Sequence, residues 1–250
     1  MAPSWKGMLN ETISESMKKD QDSISYPLSS IGPDGGPKTR FVLHRGFVNE
    51  RRKEEDPSSN KLGDDESLVA ETLLSTTDVR APKSTQIAQN GKVEIAWWFA
   101  PTGDQYRITG NAFIIGKPGD ETAQSFAEHA KRLAPSGIKG EFNWEDERRR
   151  IFEKCSPPIK ASFVRPIPGT PLKADERGDK SGKDYNPHDW PLELKDGDEE
   201  LLEKSLSNFA LIVIEPHTVD WCQLNEQPNK RAIWRKGSPT GDWTKTEVCP

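Results

Sequence analysis

The chain has 250 residues, a formal net charge of −5 and only 32% hydrophobic residues, with a mean hydropathy of −0.81. That length suits one large domain or two small ones, and the clustering of the apolar residues favours one ordinary core carrying long polar insertions. There is no basic stripe for nucleic acid, no apolar run able to span a membrane and no signal-peptide core in "MAPSWKGMLNETISESMKKD".

Residues 4–19 read as an amphipathic helix, with Trp5, Met8, Leu9, Ile13 and Met17 near one face and Ser4 as its cap. "YPLSSIGPDGGPKTRFVLHRGF" reads as a hairpin whose turn is "GPDGGP". Residues 49–67 carry mixed charge without apolar period and are expected to be a solvated insertion. "LVAETLLSTT" resumes the strand pattern, and "DVRAPKSTQIAQNG" turns into a short helix with Gly91 as its expected stop.

The next hairpin is the clearest. In "VEIAWWF", Val93, Ile95, Trp97 and Phe99 share a face, as do Tyr106, Ile108, Gly110, Ala112 and Ile114 in "YRITGNAFI". Residues 121–134 and 144–155 read as helices, and 165–206 as a second polar insertion. "FALIVIEP" is the continuous apolar run of a strand covered on both faces, and "VDWCQL", "RAIWRK" and "WTKTEV" are three further strand candidates. Short strands with Gly/Pro turns and few helices imply a β-barrel or sandwich.

The three cysteines (Cys155, Cys222, Cys249) are odd in number and scattered, which argues against a disulfide framework and for a reducing compartment. The four histidines show no ligand spacing, so no structural metal is expected. One strand poses a question. In "KTRFVLHRGF", Arg40, Val42 and His44 share one face, and Phe41, Leu43 and Arg45 the other. A plain half-buried strand would drive one of the two arginines towards the core.

Four segments, taken in order, resemble the pyridoxamine 5′-phosphate oxidase-like FMN-binding split barrels, in particular the branch described only as an FMN-binding domain. They are Arg40 to Gly46, Thr77-Asp78 through Lys83, Gln86, Ile87 and Asn90, the Trp97–Gly110 hairpin, and Val219 to Trp234. Together the resemblance covers roughly residues 3–118 and 208–248, outside the two insertions.

The resemblance implies a mainly β fold with flanking helices, a single FMN-binding split β-barrel domain over 1–250. The strand carrying Val42 then lies beside FMN, with Arg40 at the phosphate and Arg45 at the ring edge or a substrate anion. Arg80 and Lys83, flanking a helix start, would complete the phosphate cluster, since charge-assisted hydrogen bonds suit a phosphate. Thr76 and Thr77 match the family's strand-end pair, Gln105 its flavin-contacting glutamine and Arg231 a late-strand arginine near the flavin. Trp97, Trp98, Trp221 and Trp234 are read as core or interface.

The family's flavin lies at a homodimer interface, so a cytoplasmic homodimer acting on an unidentified small molecule is expected. The implied activity is a flavin-dependent oxidoreduction, the alternatives being pyridoxamine/pyridoxine 5′-phosphate oxidation and non-catalytic flavin or haem binding. Two departures bear on this. The phosphate turn reads Arg80-Ala81-Pro82-Lys83, one hydroxyl short of the family pattern. The family's late Arg-x-His-x-Arg run is replaced by "PNKR", so vitamin B6 oxidation does not follow from the resemblance.

Overall fold

The computed structural model describes residues 4–50, 70–136, 141–169, 190–238 and 241–250, and everything below concerns those residues. The expected insertion at 49–67 and residues 170–189 of the second one lie almost wholly outside them. Helix α1 (Ser4–Met17) leads into the hairpin β1 (Ser25–Ile31) and β2 (Pro37–Leu43). Then follow β3 (Leu73–Asp78), α2 (Pro82–Gln89), and the hairpin β4 (Lys92–Phe99) and β5 (Asp104–Ile115). Helices α3 (Glu121–Leu133), α4 (Trp144–Glu153), α5 (Pro157–Ser162) and α6 (Glu199–Asn208) precede β6 (Phe209–Gln223), β7 (Lys230–Lys236) and β8 (Trp243–Glu247).

All eight strands form one antiparallel sheet in the order β2-β1-β4-β5-β6-β7-β8, with β3 paired to β6 off that path. The sheet curls towards its own edge. Beyond β2, the Arg45 N–H donates to the Leu74 carbonyl and the Leu74 N–H to the Gly46 carbonyl, both at 2.8 Å. The sheet is therefore a barrel left open instead of fully closed.

Strand β6 organises the molecule. Its first half lies between β3 and β5 and its second half between β5 and β7. Along the first half, side chains alternate between two apolar clusters. Ala210, Ile212 and Ile214 join the barrel core with Trp97, Tyr106 and Leu28, whereas Phe209, Leu211 and Val213 join a second cluster with Phe126, Ile151 and Cys155. A strand with both faces buried needs an unbroken apolar sequence, which explains "FALIVIEP". The expected separate strands "FALIVIEP" and "VDWCQL" are in fact one. A bulge at His217 joins the halves, because Gly110 pairs with Pro216 while Thr109 pairs with Thr218.

Two other expectations are corrected. The chain is not poor in helices, for α4, α5 and α6 build the second cluster's cover, and α6 occupies the end of the expected polar insertion at 165–206. Gly91 is not a left-handed helix stop. Asn90 ends α2 in extended backbone, and Gly91 begins the approach to β5, where a Cβ would stand 2.8 Å from the Ala112 carbonyl oxygen. Close backbone approach is what requires glycine there.

Candidate functional site

Arg40 sits opposite Leu28 in the β1–β2 ladder, and Leu28 is fully buried in the barrel core, so Arg40 is the arginine aimed at the inner face. Helix α2 covers that end of the barrel. The half-buried guanidinium donates through Nη1 to the Leu28 carbonyl (3.1 Å) and Ser30 Oγ (2.8 Å), and through Nη2 to Gln86 Oε1 (2.7 Å). None of these acceptors is a carboxylate.

Lys83 lies in the first turn of α2, half-buried and without an ion pair or side-chain hydrogen bond among the described residues. Burial pushes its pKa down, the Arg40 charge pushes it further, and Asp78 offsets only part of this. Burial likewise lowers the pKa of Arg40. Two partly desolvated cations repelling one another across a helix N-terminus call for an anion. No side chain caps that terminus, because Ala81 stands at the capping position. The neighbouring hydroxyls are turned inward, Ser84 and Thr77 both donating to the Asp78 carbonyl, at 2.8 and 3.0 Å.

Arg80 is not brought to this cluster as a free cation. Its Nε and Nη2 grip the Asp78 carboxylate at 2.9 and 2.6 Å, and Nη2 also donates to the carbonyls of Phe163 and Arg165. It ties the turn before α2 to the end of α5. Val42 is buried in the barrel core, so its side chain packs instead of lining an open surface. Thr76 is half-buried at the end of β3, with no side-chain hydrogen bond among the described residues.

Arg45 faces the other way. Its Nε and Nη2 are buried without a hydrogen-bond partner, and its charge bears on the thiol of Cys155, as does that of Lys160. Burial still dominates and pushes that thiol up. The two arginines of this segment are therefore each partly buried, on opposite sides of the sheet, and Arg45 lies near Cys155 of the second cluster, a neighbour that the strand's own pattern gave no sign of.

Gln105 and Arg231 occupy the outer face. In register, Trp98 pairs with Gln105, Gln105 with Cys222 and Cys222 with Arg231, a single row across four strands. Arg231 is not a free cation either. It grips Asp220 through Nε (3.0 Å) and Nη2 (2.9 Å), while Arg107 holds the same carboxylate at 2.6 Å. Burial would raise the Asp220 pKa, but the two arginines outweigh it and hold it below the ordinary value. The same face exposes Phe41 (72%) and Trp98 (49%) to solvent, whereas Trp97 and Trp234 are core.

Reasoning from sequence overlooked Ser30 and Gln86 as site residues. Gln86 follows Lys83 by one helical turn, the spacing at which two side chains share a face, and that signal was available. Ser30 is recognisable only once the β1–β2 register is known.

Comparison with known proteins bears on the family and the fold. Residues 2–116 match the family model described as pyridoxamine 5′-phosphate oxidase, FMN-binding domain. A curated Arabidopsis thaliana protein, pyridoxine/pyridoxamine 5′-phosphate oxidase 2, is 22% identical over 249 residues, covering 98% of this chain and 96% of that protein. A solved pyridoxamine 5′-phosphate oxidase-related, FMN-binding protein from Nostoc punctiforme superposes with a TM-score of 0.65 at 21% identity, with both chains fully covered. That likeness establishes the fold, an open split barrel.

Proposed function

From the match of residues 2–116 to the pyridoxamine 5′-phosphate oxidase FMN-binding-domain model, we propose that this protein belongs to that family, holds FMN and is a flavin-dependent oxidoreductase acting on a small molecule. The observation that carries the reading is the Arg40–Lys83 pair, two partly buried cations beside an uncapped helix terminus with no carboxylate bonded to either. The donor set fits the phosphate of FMN: a fork of N–H groups, an ammonium and backbone N–H groups.

Arg40 and Lys83 bind and orient the phosphate. Thr76, at the end of β3, has a hydroxyl to offer. Arg45 presents two buried N–H groups without partners, suited to an anionic substituent on the substrate. The flavin, when bound, supplies hydride acceptance; the protein supplies position, electrostatics and exclusion of water.

A homodimer accounts for the division of the candidate residues between two faces. Arg40 and Lys83 belong to the inner end of the barrel, Gln105 and Arg231 to the outer face, and one flavin cannot lie against both faces of one sheet. A second copy whose outer face, with Gln105 and Arg231, packs against the end of the first copy's barrel that carries Arg40 and Lys83 completes the site from both chains. The three unpaired cysteines suit a reducing cytoplasm. No described helix is long and apolar enough to cross a membrane.

A second reading, oxidation of pyridoxamine or pyridoxine 5′-phosphate, is favoured by the near-complete alignment with the Arabidopsis protein. The deciding experiment is the visible spectrum of the protein after FMN loading and gel filtration, followed by addition of NADPH or pyridoxamine phosphate. Retained flavin bands that bleach with NADPH but not with pyridoxamine phosphate support the leading reading. Bleaching by pyridoxamine phosphate with peroxide release selects the second. A colourless protein overturns both.

A further inference from the structure

The cluster around Arg40 contains a group that neither binds an anion itself nor serves the core. Gln86 Oε1 accepts two hydrogen bonds at once, from Arg40 Nη2 at 2.7 Å and from Ser30 Oγ at 2.9 Å. Ser30 Oγ in turn accepts from Arg40 Nη1 at 2.8 Å. The three side chains form a closed ring of hydrogen bonds joining β1, β2 and α2. Ser30 is buried, and Gln86 is half-buried on the same helix face as Lys83.

We infer that Gln86, with Ser30, is a positioning residue that locks the Arg40 guanidinium against α2 and so sets the geometry of the anion site; this rests on the reading of that site as one for the FMN phosphate. Three features of the chemistry support it. Arginine only donates, so the group facing it must accept, and an amide oxygen does so without adding charge. A carboxylate at 86 would hold Arg40 as firmly, yet would cancel the field that draws a phosphate. Neutral acceptors thus leave two cations close together; burial lowers the pKa of Lys83 most, and the charge of Arg40 adds to it.

The second feature is entropy. A free arginine loses substantial rotamer freedom when it grips a ligand. Held already by Ser30, Gln86 and the Leu28 carbonyl, Arg40 has most of that ordering done before the ligand arrives. Third, the ring couples helix to sheet. Lys83 and Arg40 are brought to one spot only if α2 keeps its place over β1 and β2, and Gln86 is the side chain that bonds across that seam.

The test compares FMN with riboflavin, which lacks the phosphate, by quenching of flavin fluorescence on the full chain. Wild type, Gln86→Leu and Gln86→Glu are titrated, and thermal melting checks each fold. Gln86→Leu is expected to weaken FMN about five- to tenfold while leaving riboflavin within twofold, as expected for loss of a preorganised arginine. Gln86→Glu is expected to melt no lower than wild type, because it still pairs with Arg40. It should nevertheless lose FMN selectively, by at least tenfold, because its charge opposes the phosphate.

A merely structural role predicts the opposite for the glutamate variant, namely normal binding in a normally folded protein. Should Gln86→Leu fail to fold, Gln86→Glu decides alone. An unchanged FMN-to-riboflavin ratio in the folded variants overturns the positioning role while leaving the phosphate site intact. Equal wild-type affinity for FMN and riboflavin would overturn the phosphate site itself, and this inference with it.

Discussion

Lys83 and Arg40 stand close enough to repel one another: burial lowers the pKa of Lys83 most, the charge of Arg40 lowers it further, and Asp78 relieves it only in part. Cations in folded proteins are normally placed to avoid such an arrangement, so an anion bound at the proposed phosphate site should leave a protonic signature. In the apo protein the folded-state pKa of Lys83 lies below the unfolded value of 10.5. Between those two values the unfolded chain binds more protons than the native one, so stability rises with pH across that window.

A bound phosphate reverses the shift, because an adjacent anion favours the charged lysine. FMN binding in that alkaline window must therefore take up protons. Calorimetric titration in two buffers of different ionisation enthalpy measures the number. Uptake is expected in wild type and should vanish in Lys83→Met; equal uptake in both would assign the proton to another group.

Gly110 is the second point of test. At the bulge that joins the halves of β6, a Cβ on residue 110 would stand 2.2 Å from the Glu215 carbonyl oxygen. Backbone on both sides leaves no flexible side chain to give way. Gly110→Ala should therefore destabilise by about 1–3 kcal/mol or more, as forced overpacking does. The check is a lowered urea midpoint, with FMN binding lost in proportion to unfolding and not before it.

Much of the barrel was legible because its strands obey local rules. The hairpin from Val93 to Ile114 alternates cleanly, and the Gly-Pro turn between β1 and β2 announces itself. The anion site was half legible: Arg40 and Lys83 could be singled out, but that Asp78 already claims Arg80 depends on a turn geometry no pattern reveals. The division of Arg40 and Arg45 between opposite sides of the sheet, each partly buried, was hidden for a different reason. Alternation separates them, but the second cluster, whose Cys155 lies near Arg45, is built by helices distant in sequence. Likewise the place of Asp220 between Arg107 and Arg231 depends on strand register, which the sequence does not show.

Arg148 tests that second cluster. It is only 1% exposed and donates to the carbonyls of Leu206 and Phe209 while pairing with Glu145. The side chain thereby pins α4 to the junction of α6 and β6. Arg148→Ala leaves the Leu206 and Phe209 carbonyls without this donor and removes one of the two arginines paired with Glu145, the other being Arg149, at a cost of roughly 3 kcal/mol. Thermal melting should show the loss. Because the proposed phosphate site lies on α2 and the first hairpin, FMN affinity measured well below the melting point should stay within twofold.

The sharpest consequence concerns which copy supplies Arg231. Two variants, Lys83→Ala and Arg231→Ala, each abolish or weaken both sites in their own homodimer. If the flavin is held by the inner end of one chain and the outer face of its neighbour, a mixed dimer contains one site with both substitutions and one with neither. Co-refolding the two variants should therefore restore tight FMN binding at one site per mixed dimer, about half the mixed dimers' capacity. If both residues served the flavin of their own chain, every site in the mixture would carry one substitution and nothing would be restored. Arg231 already has Asp220 as a partner, so its transfer towards a neighbour's flavin would have to weaken that pair. Asp220→Asn in the Lys83→Ala chain should then leave complementation intact, since Arg231 is freed without loss of its own charge. Absence of complementation, with mixed dimers demonstrated by differently tagged chains, would place Arg231 outside the flavin site and return it to the outer-face ion pair.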